Sequence, residues 1–151
     1  MKLYADEDGH EPIRRLRAPL VISALARVEV IAAIWRKHRA GELDIDDSLT
    51  LIRAFRVDYA GARDTPVRFL TVAVTEEILE RATEMAGAHG LRAYDAVQLA
   101  SALAARDVDE RCATLTSFDR DLTAAAVSEG FKTLPAASKP STSARGRAAS
   151  R

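Results

Sequence analysis

Short apolar runs alternate with amphipathic stretches along this chain, and that alternation limits its fold more than any other feature. Residues 19–22, ending Leu20, Val21, Ile22, read as a short strand, with Ser23 behind them as a helix cap. A helix is expected over about 24–39, stopping near Gly41. Asp44, Asp46 and Asp47 crowd the start of a second helix whose partly apolar face carries Leu49, Ile52 and Phe55. These acids lack the glycine and terminal Glu of a calcium loop, so they read as caps and dipole partners. Residues 68–72 form a second strand candidate, Thr75 caps a helix containing Ile78, Leu79, Ala82 and Met85, and Gly90 closes that unit. A helix carrying Asp95 follows and ends near Asp107. Residues 113–116 are a strand of buried type, 119–129 a short helix with Gly130 behind it, and 131–134 a last strand. Strands alternating with helices in this way predict an α/β fold, a mostly parallel sheet covered by helices.

At 151 residues the chain suits one domain with a substantial core. The expected division is a folded domain over 1–135 and a disordered tail over 136–151 that holds Lys139, Arg145, Arg147 and Arg151 and no acid. That tail carries +4, so the formal net charge of zero conceals a body at −4. No apolar run approaches the roughly 18 residues of a membrane span, and the first eight residues lack the apolar stretch of a signal peptide. A cytoplasmic protein is expected. Cys112 is the only cysteine and heads a strand-like run, which suggests a small buried apolar role. His10, His38 and His89 share no ligand spacing, so neither zinc nor a Ser/His/Asp triad finds support. The absence of a Gly-rich phosphate loop argues against nucleotide-binding Rossmann and P-loop readings.

Three acids sit where a carboxylate needs a reason. Asp95 falls in the stripe Leu91, Leu99, Leu103, all on one side of its helix at intervals of four. An unpaired buried charge there costs several kcal/mol, roughly, whereas a place in the first helical turn favours a carboxylate by about 0.3–1 kcal/mol. Glu29 has Leu25, Ala32 and Ala33 as helical neighbours, and it too projects from an apolar face. Asp119 follows the 113–116 strand and starts a helix, at the edge of a parallel sheet where ligands gather, although an N-cap role also explains it. Asp121 lies two residues on, as a second carboxylate or a solvating group. Clustered carboxylates repel one another and call for a cation, and oxygen-only ligands suit Mg²⁺ or Mn²⁺, ions that serve phosphate chemistry.

The series Val21, Ile22, Ser23 with Arg27, Val28, Glu29, Val30, then Leu91 through Ala100 around Tyr94, Asp95, Ala96, then Thr116, Ser117, Phe118, Asp119, Arg120 resembles a PIN-domain protein of the VapC toxin group. The resemblance covers nearly all of residues 2–134. It implies a three-layer α/β/α fold and a Mg²⁺- or Mn²⁺-dependent endoribonuclease, the toxin of a type II toxin–antitoxin pair, held inactive by a small antitoxin. A homodimer is the expected assembly. Glu29, Asp95 and Asp119 match three of the family's four acids and would be both catalytic and metal-binding, with Ser117 and Asp121 in support. The implied chemistry is metal-assisted attack of water on an RNA phosphodiester without a covalent intermediate.

The departure from the family lies at the N-terminus. Members open with an apolar strand ending in the first acid, followed by a helix whose end resembles residues 2–7 here. The expectation is that this central first strand is missing, because of an upstream true start or a truncated product. In a sheet of order 3-2-1-4-5, the Val21 and Leu115 strands would then lose the partner between them. Asp6 and Asp8 belong to an exposed turn with Gly9 and are not expected to replace the lost acid. The alternative is a catalytically inactive PIN-like chain that acts only by antitoxin binding or dimerisation.

Overall fold

The computed structural model describes residues 20–134. The expected tail over 136–151, the segment 2–7 and Asp6 and Asp8 therefore lie outside the described residues. Nine elements follow one another: β1 (Leu20–Ser23), α1 (Ala26–Arg39), α2 (Ile45–Ala60), β2 (Phe69–Val72), α3 (Glu76–His89), α4 (Ala93–Val108), β3 (Thr114–Thr116), α5 (Arg120–Ser128) and β4 (Lys132–Leu134).

Local chemistry sets most boundaries where the sequence predicts them. The Asp44 carboxylate accepts the Asp47 N–H at 2.7 Å and caps α2, and the Thr75 hydroxyl accepts the Ile78 N–H at 3.4 Å and caps α3. Gly90 ends α3 at φ 66°, a left-handed conformation that costs glycine least. Ser23 departs from expectation. It is the buried last residue of β1, and α1 has Leu25 at its N-cap position with no side-chain cap. The Ser23 hydroxyl instead accepts the Leu25 N–H at 3.4 Å, inside the turn that leads from strand to helix. Cys112 also departs: it is only partly buried and lines a cleft.

β1 pairs with β2 and β3 with β4, both in parallel, with Leu20 opposite Phe69 and Leu115 opposite Thr133. Alternation along β2 sends Phe69 and Val72 to opposite faces. Phe69 meets Phe55 of α2, ring centroids 6.2 Å apart, and Val72 packs on the main core. That core is built from Ile78 and Ala82 of α3, the Leu99–Leu103 face of α4, Leu115 of β3, Leu122 of α5 and Phe131. α3 and α4 share the most extensive helix contact, and α4 also lies against β1 and β2. The outcome is the expected α/β arrangement of parallel strands covered by helices.

Among the described residues no strand joins the β1–β2 pair to the β3–β4 pair. Instead a cleft of about 610 Å³ is bordered by Leu20, Val21 and Ile22 on one side and Thr114, Leu115 and Thr116 on the other.

Candidate functional site

Three of the carboxylates singled out in the sequence, Glu29, Asp95 and Asp119, line that same cleft, and Ser117 lines it with them. Each acid stands at the beginning of a helix. Glu29 is in the first turn of α1, just beyond the end of β1; Asp95 is in the first turn of α4; Asp119 is the N-cap of α5, just beyond β3. In a parallel arrangement the carboxyl ends of strands and the amino ends of the following helices meet at one edge, which is why residues distant in sequence gather there. Backbone N–H groups at three helix starts make this edge favourable for negative charge, by about 0.3–1 kcal/mol per carboxylate.

Burial and mutual repulsion outweigh that help at two of the three acids. The Asp95 pKa is raised from 3.8, first by burial, then by the charges of Asp119 and Asp121, against the opposing pull of Arg92. The Glu29 pKa is raised from 4.5, first by burial and further by Asp95, while a hydrogen bond from Gln98 and the charge of Arg36 lower it. Asp95 thus senses Asp119 and Asp121 and in turn raises Glu29. The upward direction at both sites is that expected of carboxylates brought together without an equal set of cations.

The expectation of deep burial is corrected. Leu91, Leu99 and Leu103 are buried, but Asp95 is only partly so, because its place in the first turn sets it at the rim of the leucine stripe, beside the cleft. Glu29 is exposed, as is Ala32, while Ala33 alone of the flanking alanines is buried. Glu29 therefore edges the core without entering it, open to solvent on one side and desolvated on the other by the cleft wall, which is the partial burial that raises its pKa.

Asp119 serves as a cap as well as a cleft residue. Its Oδ1 accepts the N–H groups of Asp121 and Leu122, both at 2.9 Å, which leaves the second oxygen uncommitted to the cap. The Ser117 hydroxyl accepts the Asp119 N–H at 3.1 Å and so holds the acid's backbone in place. Asp121 is exposed and does not line the cleft; its effect is electrostatic, through Asp95. Arg111 does line the cleft, but its guanidinium is engaged by both carboxylate oxygens of Asp109, the shortest contact being 2.7 Å.

Among the described residues no three His, Cys, Asp or Glu side chains are close enough to clasp one ion together. The donor set nonetheless suits a hard divalent cation, since Mg²⁺ keeps several waters and is usually held by one or two carboxylates plus substrate phosphate. Of the neighbouring charges, that of Asp119 raises the Asp95 pKa most.

Two polar residues on α4 contact the surroundings of Glu29, and the sequence reading included both only within the Leu91–Ala100 motif, without a role. The Tyr94 hydroxyl donates to the Leu25 carbonyl at 2.9 Å, and Gln98 Nε2 donates to the Glu29 carboxylate at 3.2 Å from Oε2 and 3.5 Å from Oε1. Their i, i+4 spacing was the available signal: it puts both on one face of α4, about a quarter turn from Asp95.

Among the described residues no helix is long and apolar enough to cross a membrane. Comparison with curated proteins returns no match. Residues 1–128 match the family model described as PIN domain, well over half of the chain and a span that contains Glu29, Asp95, Ser117, Asp119 and Asp121. With parallel strands under helices and acids at their carboxyl edge, this chain belongs to the PIN domain family, whose members are generally nucleases.

Proposed function

We propose that this chain is a VapC-type toxin, a metal-dependent endoribonuclease that hydrolyses RNA phosphodiester bonds and is restrained by a cognate antitoxin. The observation that carries this reading is the convergence of Glu29, Asp95 and Asp119 on one cleft at the strand ends of a PIN domain. Mg²⁺ or Mn²⁺ is the cofactor this oxygen-only donor set fits, with Asp95 and Asp119 as the holding pair and Glu29 acting from the cleft wall. A divalent ion so held supplies a water of lowered pKa and neutralises charge on the scissile phosphate.

The chain's own residues do the rest. Asp119, fixed by the Ser117 hydroxyl and by its capping bonds, offers its remaining oxygen without having to reorganise. Asp95 is the acid with the strongest need of a cation, because burial and two neighbouring carboxylates oppose its ionisation. Glu29, raised in pKa by partial burial against the cleft wall and by Asp95, suits proton transfer at the attacking water better than a fully solvated glutamate does. The proposed setting is the cytoplasm, with the antitoxin and a second copy of the chain as partners.

The purified chain is expected to cleave RNA with Mg²⁺ or Mn²⁺ and to stop when the metal is chelated. Asp95→Asn is expected to reduce cleavage by about 10²–10³-fold, the scale of losing one electrostatic group of a preorganised site. Equal cleavage by the variant defeats this assignment. One observation favours a second reading, an inactive chain that works only by binding its partners: no three described acids clasp an ion together. That reading predicts no cleavage by the wild type and no response to metal.

A further inference from the structure

Glu29 has the longest side chain of the three cleft acids and is more exposed than Asp95, and the charge of Asp95 opposes its place beside that carboxylate. Its position is nevertheless fixed at two points by the helix that carries Asp95. The Leu25 carbonyl accepts the Glu29 N–H at 3.0 Å, and the same oxygen accepts the Tyr94 hydroxyl at 2.9 Å. One helical turn further along α4, Gln98 donates its amide to both oxygens of the Glu29 carboxylate. Backbone and side chain of Glu29 are thereby both referred to α4, although 69 residues separate Glu29 from Gln98.

We infer that Tyr94 and Gln98 are positioning residues that hold Glu29 at a set place beside Asp95, an inference that rests on the metal-dependent reading above. The chemistry of the donors supports it. An arginine or lysine at position 98 would hold the carboxylate more strongly but would cancel its charge and oppose a cation in the cleft. The neutral amide orients the carboxylate and leaves its charge in place. The neutral phenol does the same for the backbone turn from which Glu29 projects.

The test is Mn²⁺ affinity, measured by titration calorimetry on the full chain, alongside RNA cleavage kinetics. Gln98→Met removes the donor at similar volume, Tyr94→Phe removes only the hydroxyl, and Gln98→Lys keeps a donor while adding charge. Each is expected to weaken Mn²⁺ binding by about 10-fold or more, the range found for residues that orient metal ligands. kcat is expected to fall with KM for RNA little changed, and the melting temperature of each metal-free variant is expected to match the wild type, which separates lost positioning from a smaller folded fraction. Should Asp95→Asn abolish Mn²⁺ binding while Gln98→Met and Tyr94→Phe bind Mn²⁺ as the wild type does, the positioning role is overturned and the metal reading stands. A wild type that binds no Mn²⁺ overturns both. If Tyr94→Phe fails to fold, Gln98→Met, at a partly exposed position, decides alone.

Discussion

Asp95 sits at the meeting point of two tendencies, the apolar stripe of α4 and the acidic edge of the cleft, and its raised pKa records the conflict. The consequence for stability has a definite sign. A carboxyl whose folded pKa lies above its unfolded value keeps its proton in the native state over a window where the unfolded chain has lost it. Stability therefore falls as pH rises from about 3.8 through the raised value, and it stays lower above that window. Asp95→Asn removes this loss. Without metal, the variant is expected to lose less of its melting temperature than the wild type between about pH 4 and pH 7, as thermal melts across that range would read. A steeper loss in the variant contradicts the shift. The sequence made Asp95 and Asp119 legible as candidates because a carboxylate in a leucine stripe or behind a strand is a local anomaly. Gln98 stayed silent because a glutamine on a helix is ordinary until its partner, 69 residues away, is known.

Helix starts are the elements on which the site depends. Asp44 caps α2 and does not line the cleft, and Asp44→Ala is expected to cost about 1 kcal/mol, read from denaturant unfolding. Leu99 of α4 is wholly buried in the main core, and Leu99→Ala is expected to cost about 2–5 kcal/mol by cavity formation. Similar losses from both variants would show that α4 does not anchor the core as its burial indicates. A second group of contacts ties helix ends together. His89 at the end of α3 lies 2.8 Å from Glu129, whose carbonyl accepts from Arg106 of α4 at 2.7 Å, while the Arg106 guanidinium stacks 4.2 Å from the Phe131 ring centroid. Most element boundaries were legible because caps and glycines act within a few residues. Ser23 was misread for the same reason. A serine after an apolar run has the composition of a cap, and only the path of the turn into α1 assigns its hydroxyl to Leu25.

At the scale of the fold the governing fact is that, among the described residues, two parallel strand pairs are held by helices around an acid-edged cleft. Ligand linkage gives this arrangement a direct readout. Mn²⁺ at about 100 times its dissociation constant is expected to stabilise the fold by about 2.7 kcal/mol, a rise of roughly 5–10 °C in Tm for a chain of this size. No rise in a thermal melt with added Mn²⁺ would favour the inactive reading. The sequence by itself determined the element order and the parallel α/β class and singled out the three acids as candidates, since hydrophobic period, caps and anomalous charges are all short-range signals. Only the tertiary structure decided that β1 and β3 face each other across a cleft, that Glu29 is exposed while Asp95 is partly buried, and that Tyr94 and Gln98 join α4 to α1. Those are relations between segments far apart in the chain, and their energies depend on distances that no local pattern contains.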